Sequence, residues 1–164
     1  MREMIISGLT MDPQTNTPIV VLKDPDSETS LPIWIGLLEA TAIATELEKV
    51  EFSRPMTHDL IKNLMGHLGA KVEKVEVCDL RDNTFYAWIY LNVNGKETRI
   101  DARPSDALAI ALRADARIYV DEKVIKKSGK LDSTPKVEIK DEEAKKWTDI
   151  LENLSPEDFG KYKM

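Results

Sequence analysis

The chain has 164 residues, 42% of them hydrophobic and 32% charged, and a formal net charge of -6. That bounds it to one domain, or one domain with a tail, with enough apolar material for a core. No apolar run approaches the ~20 residues of a membrane span, a single cysteine, Cys78, rules out an internal disulfide and a cysteine-cluster metal site, and the acidic balance rules out a bulk basic face for non-specific nucleic-acid binding.

In chain order, Met4–Leu9 and Thr17–Lys23 read as strands, and Leu31–Ile35 alternates as a third, confined to an edge or a strand start by Pro32. Leu38–Val50 carries Ile43, Leu47 and Val50 at helical spacing among alanines. Thr57 is the expected N-cap of a second helix, with Leu60, Ile61, Leu64, Met65 and Leu68 on one face and Gly69 at its end. Lys71–Leu80 and Thr84–Val93 follow as strands. Phe85, Ala87, Ile89, Leu91 and Val93 share one face of the latter, and Tyr86, Trp88 and Tyr90 the other. Asn94-Gly95 is a hairpin signal, so Lys96–Ala102 should return antiparallel. Pro104 suits the first turn of a helix to about Arg113. Arg117–Val120 reads as a short strand and Asp121–Lys127 as a short helix.

An ungapped repeat at an offset of 67 residues underlies this order. Between Asp12 and Ala44, 8 of 33 positions are identical to Asp79–Ala111. Each copy carries one acid at an equivalent place, Glu39 and Asp106. The expected fold is α+β: a duplicated three-strand, two-helix unit forming one curved or barrel-like, mostly antiparallel sheet with the helices outside. The domain should span residues 1–128, with repeats at about 1–67 and 68–128. Residues 129–164 form a charged extension in which Trp147, Ile150, Leu151 and Leu154 recur at helical spacing. Docking of that helix on the core or on a neighbouring subunit would hide an otherwise exposed Trp.

Chemistry concentrates in two places. Where the last long strand meets its helix, Asp101, Arg103, Ser105 and Asp106 fall within a small volume. Carboxylates there suit a hard divalent cation held through oxygen and completed by water. The same residues also read as an Asp–Arg network with a helix cap. In Arg54–Asp59, His58 begins the second helix, placed for proton transfer or metal ligation, or simply as a solvated first-turn histidine. The row Tyr86, Trp88, Tyr90 could stack bases, although its aliphatic counterparts Ile19 and Val21 favour a buried face. Phosphate-loop, dinucleotide, HExxH and nucleophile-elbow patterns do not occur. The N-terminus lacks a basic-then-apolar leader, so a cytoplasmic, reduced setting is expected.

Four motifs in order, Leu31–Gly36 with Glu39-Ala40, Arg54–His58, Asp82–Ala87 and Asp101–Ala107, resemble the bifunctional nuclease domain family over about residues 1–128. The resemblance implies the duplicated domain and nuclease activity on both RNA and DNA, with nucleic acid as partner. The site residues are assigned from chemistry alone. In the first of two readings, Asp101, Asp106 and Glu39 gather Mg²⁺ or Mn²⁺, which lowers the pKa of an attacking water. His58 moves the proton, and Arg54, Arg103 and Ser105 hold the substrate. In the second, the chain is a non-catalytic, homo-oligomeric binding or assembly module for a protein or small ligand, and Asp101, Arg103 and Asp106 form a structural network.

Overall fold

A computed structural model describes residues 1–129, Trp147 and Asp149. Seven strands form one sheet: β1 (Arg2–Met11), β2 (Pro18–Lys23), β3 (Ser30–Trp34), β4 (Ala70–Arg81), β5 (Thr84–Val93), β6 (Lys96–Ala102) and β7 (Arg117–Val120). Four helices accompany them: α1 (Leu37–Leu47), α2 (Thr57–His67), α3 (Pro104–Ala114) and α4 (Glu122–Ser128). The strand order is β3-β2-β1-β7-β4-β5-β6. Neighbours pair antiparallel except β4 and β7, which are parallel.

The expected curved or barrel-like closure is therefore not formed. β7 inserts between the two three-strand units and joins them edge to edge, leaving β3 and β6 at opposite ends of an open sheet. Closure would require those two strands to pair. Pro32 removes a donor from β3, and Lys96, Glu97, Arg99 and Asp101 give β6 a charged border of the kind that discourages strand addition. As expected, a short strand at Arg117–Val120 separates the two helices of the second unit.

Local chemistry accounts for the turns. β4 and β5 are joined by Asp82-Asn83, with φ of 49° and 60°, and β5 and β6 by Asn94-Gly95, with φ of 53° and 84°. Two successive positive φ values define the turn whose twist matches paired strands, and Asn, Asp and Gly adopt them most readily. On β5 the period-2 pattern buries Ala87, Ile89 and Leu91.

α1 packs on β1 and β2, and α3 on β4, β5 and β7; the two helices also touch each other, so they share a face of the sheet. Both helices carry small buried residues, Ala40 and Ala44 on α1 and Ala107, Ala109 and Ala111 on α3, and small side chains let a helix approach its neighbours closely. α2 leans on α3 and β4. Its N-cap is Met56 rather than Thr57, which becomes the first helical residue. The expected packed face of α2 is only half realised: none of its residues is buried, and Leu60, Leu64 and Leu68 lie exposed.

The aromatic row does not become a fully buried face. Tyr86, Trp88 and Tyr90 are half-buried, each under a cation, with Arg81 4.0 Å from the Tyr86 ring, Arg99 4.3 Å from Trp88 and Lys74 4.5 Å from Tyr90. Ile19 and Val21, their counterparts by repeat, are buried. In the extension, Trp147 is helical and buried with the core; Ile150, Leu151 and Leu154 lie outside the described residues. Among the described residues no helix is long and apolar enough to cross a membrane.

Arg2 ties three distant segments together, donating to Asp24, Thr29 and Glu122. Asp24 also accepts from the Asp26 N–H and the Ser27 hydroxyl. Those two bonds, opposed by burial and aided by Arg2, hold its carboxyl below the usual range. A depressed folded pKa gives stability that is complete above the unfolded value of ~3.9 and lost as pH falls through the folded one. Stability measured by urea unfolding between neutral pH and pH ~3 should thus fall less steeply for Asp24→Asn than for the parent. Equal slopes would mean that this network does not contribute to acid sensitivity.

Candidate functional site

The first turns of three helices meet at one end of a cleft of about 1150 Å³. Glu39 and Asp106 each occupy the third position of their helix, after caps at Gly36 and Arg103, and Asp59 does the same on α2 after Met56. An acid at that position opposes the positive end of the helix dipole, which explains why all three helices carry one. What the sequence does not reveal is that the first two acids meet. Arg103 bridges them, with NH1 3.1 Å from Glu39 Oε1 and Nε 3.1 Å from Asp106 Oδ2. Asp106 foremost, then Glu39, holds this guanidinium still more firmly protonated.

His58, the second residue of α2, places Nε2 2.9 Å from Asp106 Oδ1. The carboxylate accepts, so Nε2 carries the hydrogen and Nδ1 is the nitrogen left to exchange a proton. The His58 side chain is 12% exposed, against 69% for Arg103. The imidazole is thus sheltered, while the guanidinium is open to an incoming anion.

Behind His58 lies a buried support. Arg113 donates from Nε to Asp59 Oδ1 at 2.7 Å, from NH1 to the Ala109 carbonyl and from NH2 to the Ala42 carbonyl, tying α2, α3 and α1 together. Its side chain is 3% exposed. Asp59 in turn accepts from the Met56 N–H at 2.9 Å. Burial works against ionisation of Asp59, but the Met56 N–H and Arg113 outweigh it and keep the carboxyl below its usual range. Sequence reasoning assigned no role to Asp59 or Arg113. A cation on the apolar side of an alanine-rich helix was the available signal.

Gly36 is set by close approach. A Cβ there would collide with the Glu39 carboxylate, which folds back over the cap.

The remaining expected residues divide. Arg54 is exposed, lines the cleft and makes no ion pair among the described residues. Ser105 is buried and does not line the cleft. Asp101 pairs across from Trp88 and also lines the cleft, next to Ile100, Ala102 and Arg103. Among the described residues no three His, Cys, Asp or Glu side chains gather as ion ligands. Between Glu39 and Asp106 a guanidinium already supplies the positive charge. The donors therefore do not form a ready-made divalent-ion site.

The cleft itself is mostly apolar, with Phe52, Met56, Ile61, Met65, Ile89 and Ile100 among its walls.

The sequence pattern of the bifunctional nuclease domain matches residues 20–132. An uncharacterized protein of Mycobacterium tuberculosis is 39% identical, over 97% of this chain and 98% of its own length. Bifunctional nuclease 1 of Oryza sativa is 27% identical over 67% of this chain, and bifunctional nuclease 1 of Arabidopsis thaliana 29% over 64%. The chain spans about a third of the length of those plant proteins, 34% in each case.

Proposed function

Because the chain belongs to the bifunctional nuclease domain family, we propose that it hydrolyses phosphodiester bonds of RNA and DNA where His58, Asp106, Arg103 and Glu39 meet. The observation carrying this reading is the His58–Asp106 bond, set beside an exposed arginine at the junction of three helix N-termini. A phosphate approaching that junction meets the exposed guanidinium groups of Arg103 and Arg54. DNA lacks a 2′-hydroxyl, so action on both polymers requires water as nucleophile. His58 Nδ1 takes the proton of that water as its oxygen bonds to phosphorus, the P–O bond to the leaving oxygen breaks, and that oxygen takes up a proton from solvent, to which the imidazolium afterwards returns its own. Asp106 orients the ring and balances the charge it acquires. Arg103 exchanges part of its carboxylate pairing for the phosphate oxygens.

The test is cleavage of end-labelled single-stranded RNA and DNA, with and without EDTA, beside Asp106→Asn purified identically. Cleavage that persists in EDTA and falls at least about tenfold in the variant supports the dyad. Cleavage that requires Mg²⁺ or Mn²⁺ would replace the dyad with an ion held by Glu39 and Asp106 after Arg103 swings away. Equal activity in both preparations would remove the site.

The apolar cleft walls favour a second reading, a non-catalytic module that binds a protein segment or small apolar ligand there. Absence of cleavage by either preparation would select it.

A further inference from the structure

We propose that the outer face of α2 is a self-association surface. Leu60, Leu64 and Leu68, continued by Leu38 and Ile100 at the cleft mouth, pack against the same surface of a second copy of this chain.

The five side chains are 59%, 56%, 68%, 73% and 50% exposed, respectively. A stable interface buries roughly 800 Å² per partner, and five large side chains, each at least half exposed, offer apolar area for the centre of one. Monomers seldom leave such a contiguous patch uncovered. The helix itself points the same way. It has 11 residues, none of them buried, and helices shorter than about 12–15 residues are marginal without packing. Its first turn is fixed by Asp59 and Arg113, and Ile61 and Met65 rest on the core, which leaves the Leu60, Leu64 and Leu68 side uncovered by the described residues.

A second copy is the occupant the pattern favours, on two grounds. The stripe is symmetric about Leu64, with Leu60 one turn before and Leu68 one turn after. Two such helices laid antiparallel place Leu64 on the twofold axis and Leu60 against Leu68, which is the self-complementarity an isologous contact needs. A cover required whenever the chain is folded must also always be present, and another copy of the same chain meets that condition. The inference does not rest on the nuclease reading.

The test is sedimentation of the full-length chain from micromolar to submillimolar concentration, beside Leu64→Glu and a control, Ile5→Glu, at an exposed apolar residue on β1. The expected result is a two-copy species for the parent and the control, and a monomer with unchanged far-ultraviolet circular dichroism for Leu64→Glu. A parent that stays monomeric throughout overturns the proposal and transfers the surface to the chain's own extension or to another protein. A two-copy species that survives Leu64→Glu also overturns it, and a larger assembly overturns the twofold pairing. If Leu64→Glu does not fold, amide hydrogen exchange of the parent decides. α2 amides that slow as concentration rises support the pairing, and amides that do not respond sink it.

Discussion

Replacing His58 with glutamine is expected to lower cleavage of RNA and DNA by about 10²- to 10⁴-fold, the range contributed by a positioned acid–base group. Glutamine reaches a similar distance and can still donate to Asp106 from its amide, so the geometry around Asp106 survives. It cannot take or give a proton. The folded state should hardly notice: the imidazole makes one hydrogen bond, to a carboxylate that is 30% exposed and keeps Arg103. The informative comparison is therefore turnover against thermal unfolding on the same preparation. Activity lost with an unchanged midpoint places His58 in the chemistry. Activity retained removes the proton-transfer role, whatever Asp106→Asn does.

Arg113→Ala should produce the opposite pattern, a loss of stability of about 2–3 kcal/mol, because a buried guanidinium is removed from three acceptors while the Asp59 carboxylate it leaves is 35% exposed and partly solvated. Three acceptors lose their donor together. Asp59 is left with only the Met56 N–H, and the Ala42 and Ala109 carbonyls are left facing a void. Because Asp59 carries the cap of α2, the first turn holding His58 loosens as well. Arg113→Lys should recover only part of the loss, since an ammonium cannot reproduce the planar guanidinium's divergent donors. Urea unfolding of the three proteins measures this directly. A loss below about 1 kcal/mol, the range of exposed ion pairs, would show that solvent reaches the pair.

What was readable in the sequence were the elements whose cause is local. Thr84–Val93 and Lys96–Ala102 were bounded to the residue, because alternation fixes the strand and Asn94-Gly95 fixes the turn. Pro104 marked the start of α3 for the same kind of reason. Nonlocal outcomes were not readable. Nothing within Arg117–Val120 states that it will slot between β1 and β4, yet that one placement turns an expected barrel into an open sheet. The period of α2 was legible, but its degree of burial was not, because a helical repeat reports which residues share a face and not what the face meets. At the site, the repeat singled out Glu39 and Asp106, and their meeting through Arg103 followed only from the packing of α1 on α3. Ser105 and Asp101 were placed by nearness in sequence; Asp101 does line the cleft, whereas Ser105 is turned into the core.

The caps of α1 and α3 are equivalent by repeat, but one is Gly36 and the other Arg103. Two separate, identical half-chains assembled around a twofold axis would have to use the same residue twice. Two arginines would crowd both carboxylates, and two glycines would leave both without a counter-ion. Fusing the halves into one polypeptide lifts that constraint, so one half supplies the charge and the other the clearance. The stoichiometry follows: one Glu39–Arg103–Asp106 cluster per chain, asymmetric by construction.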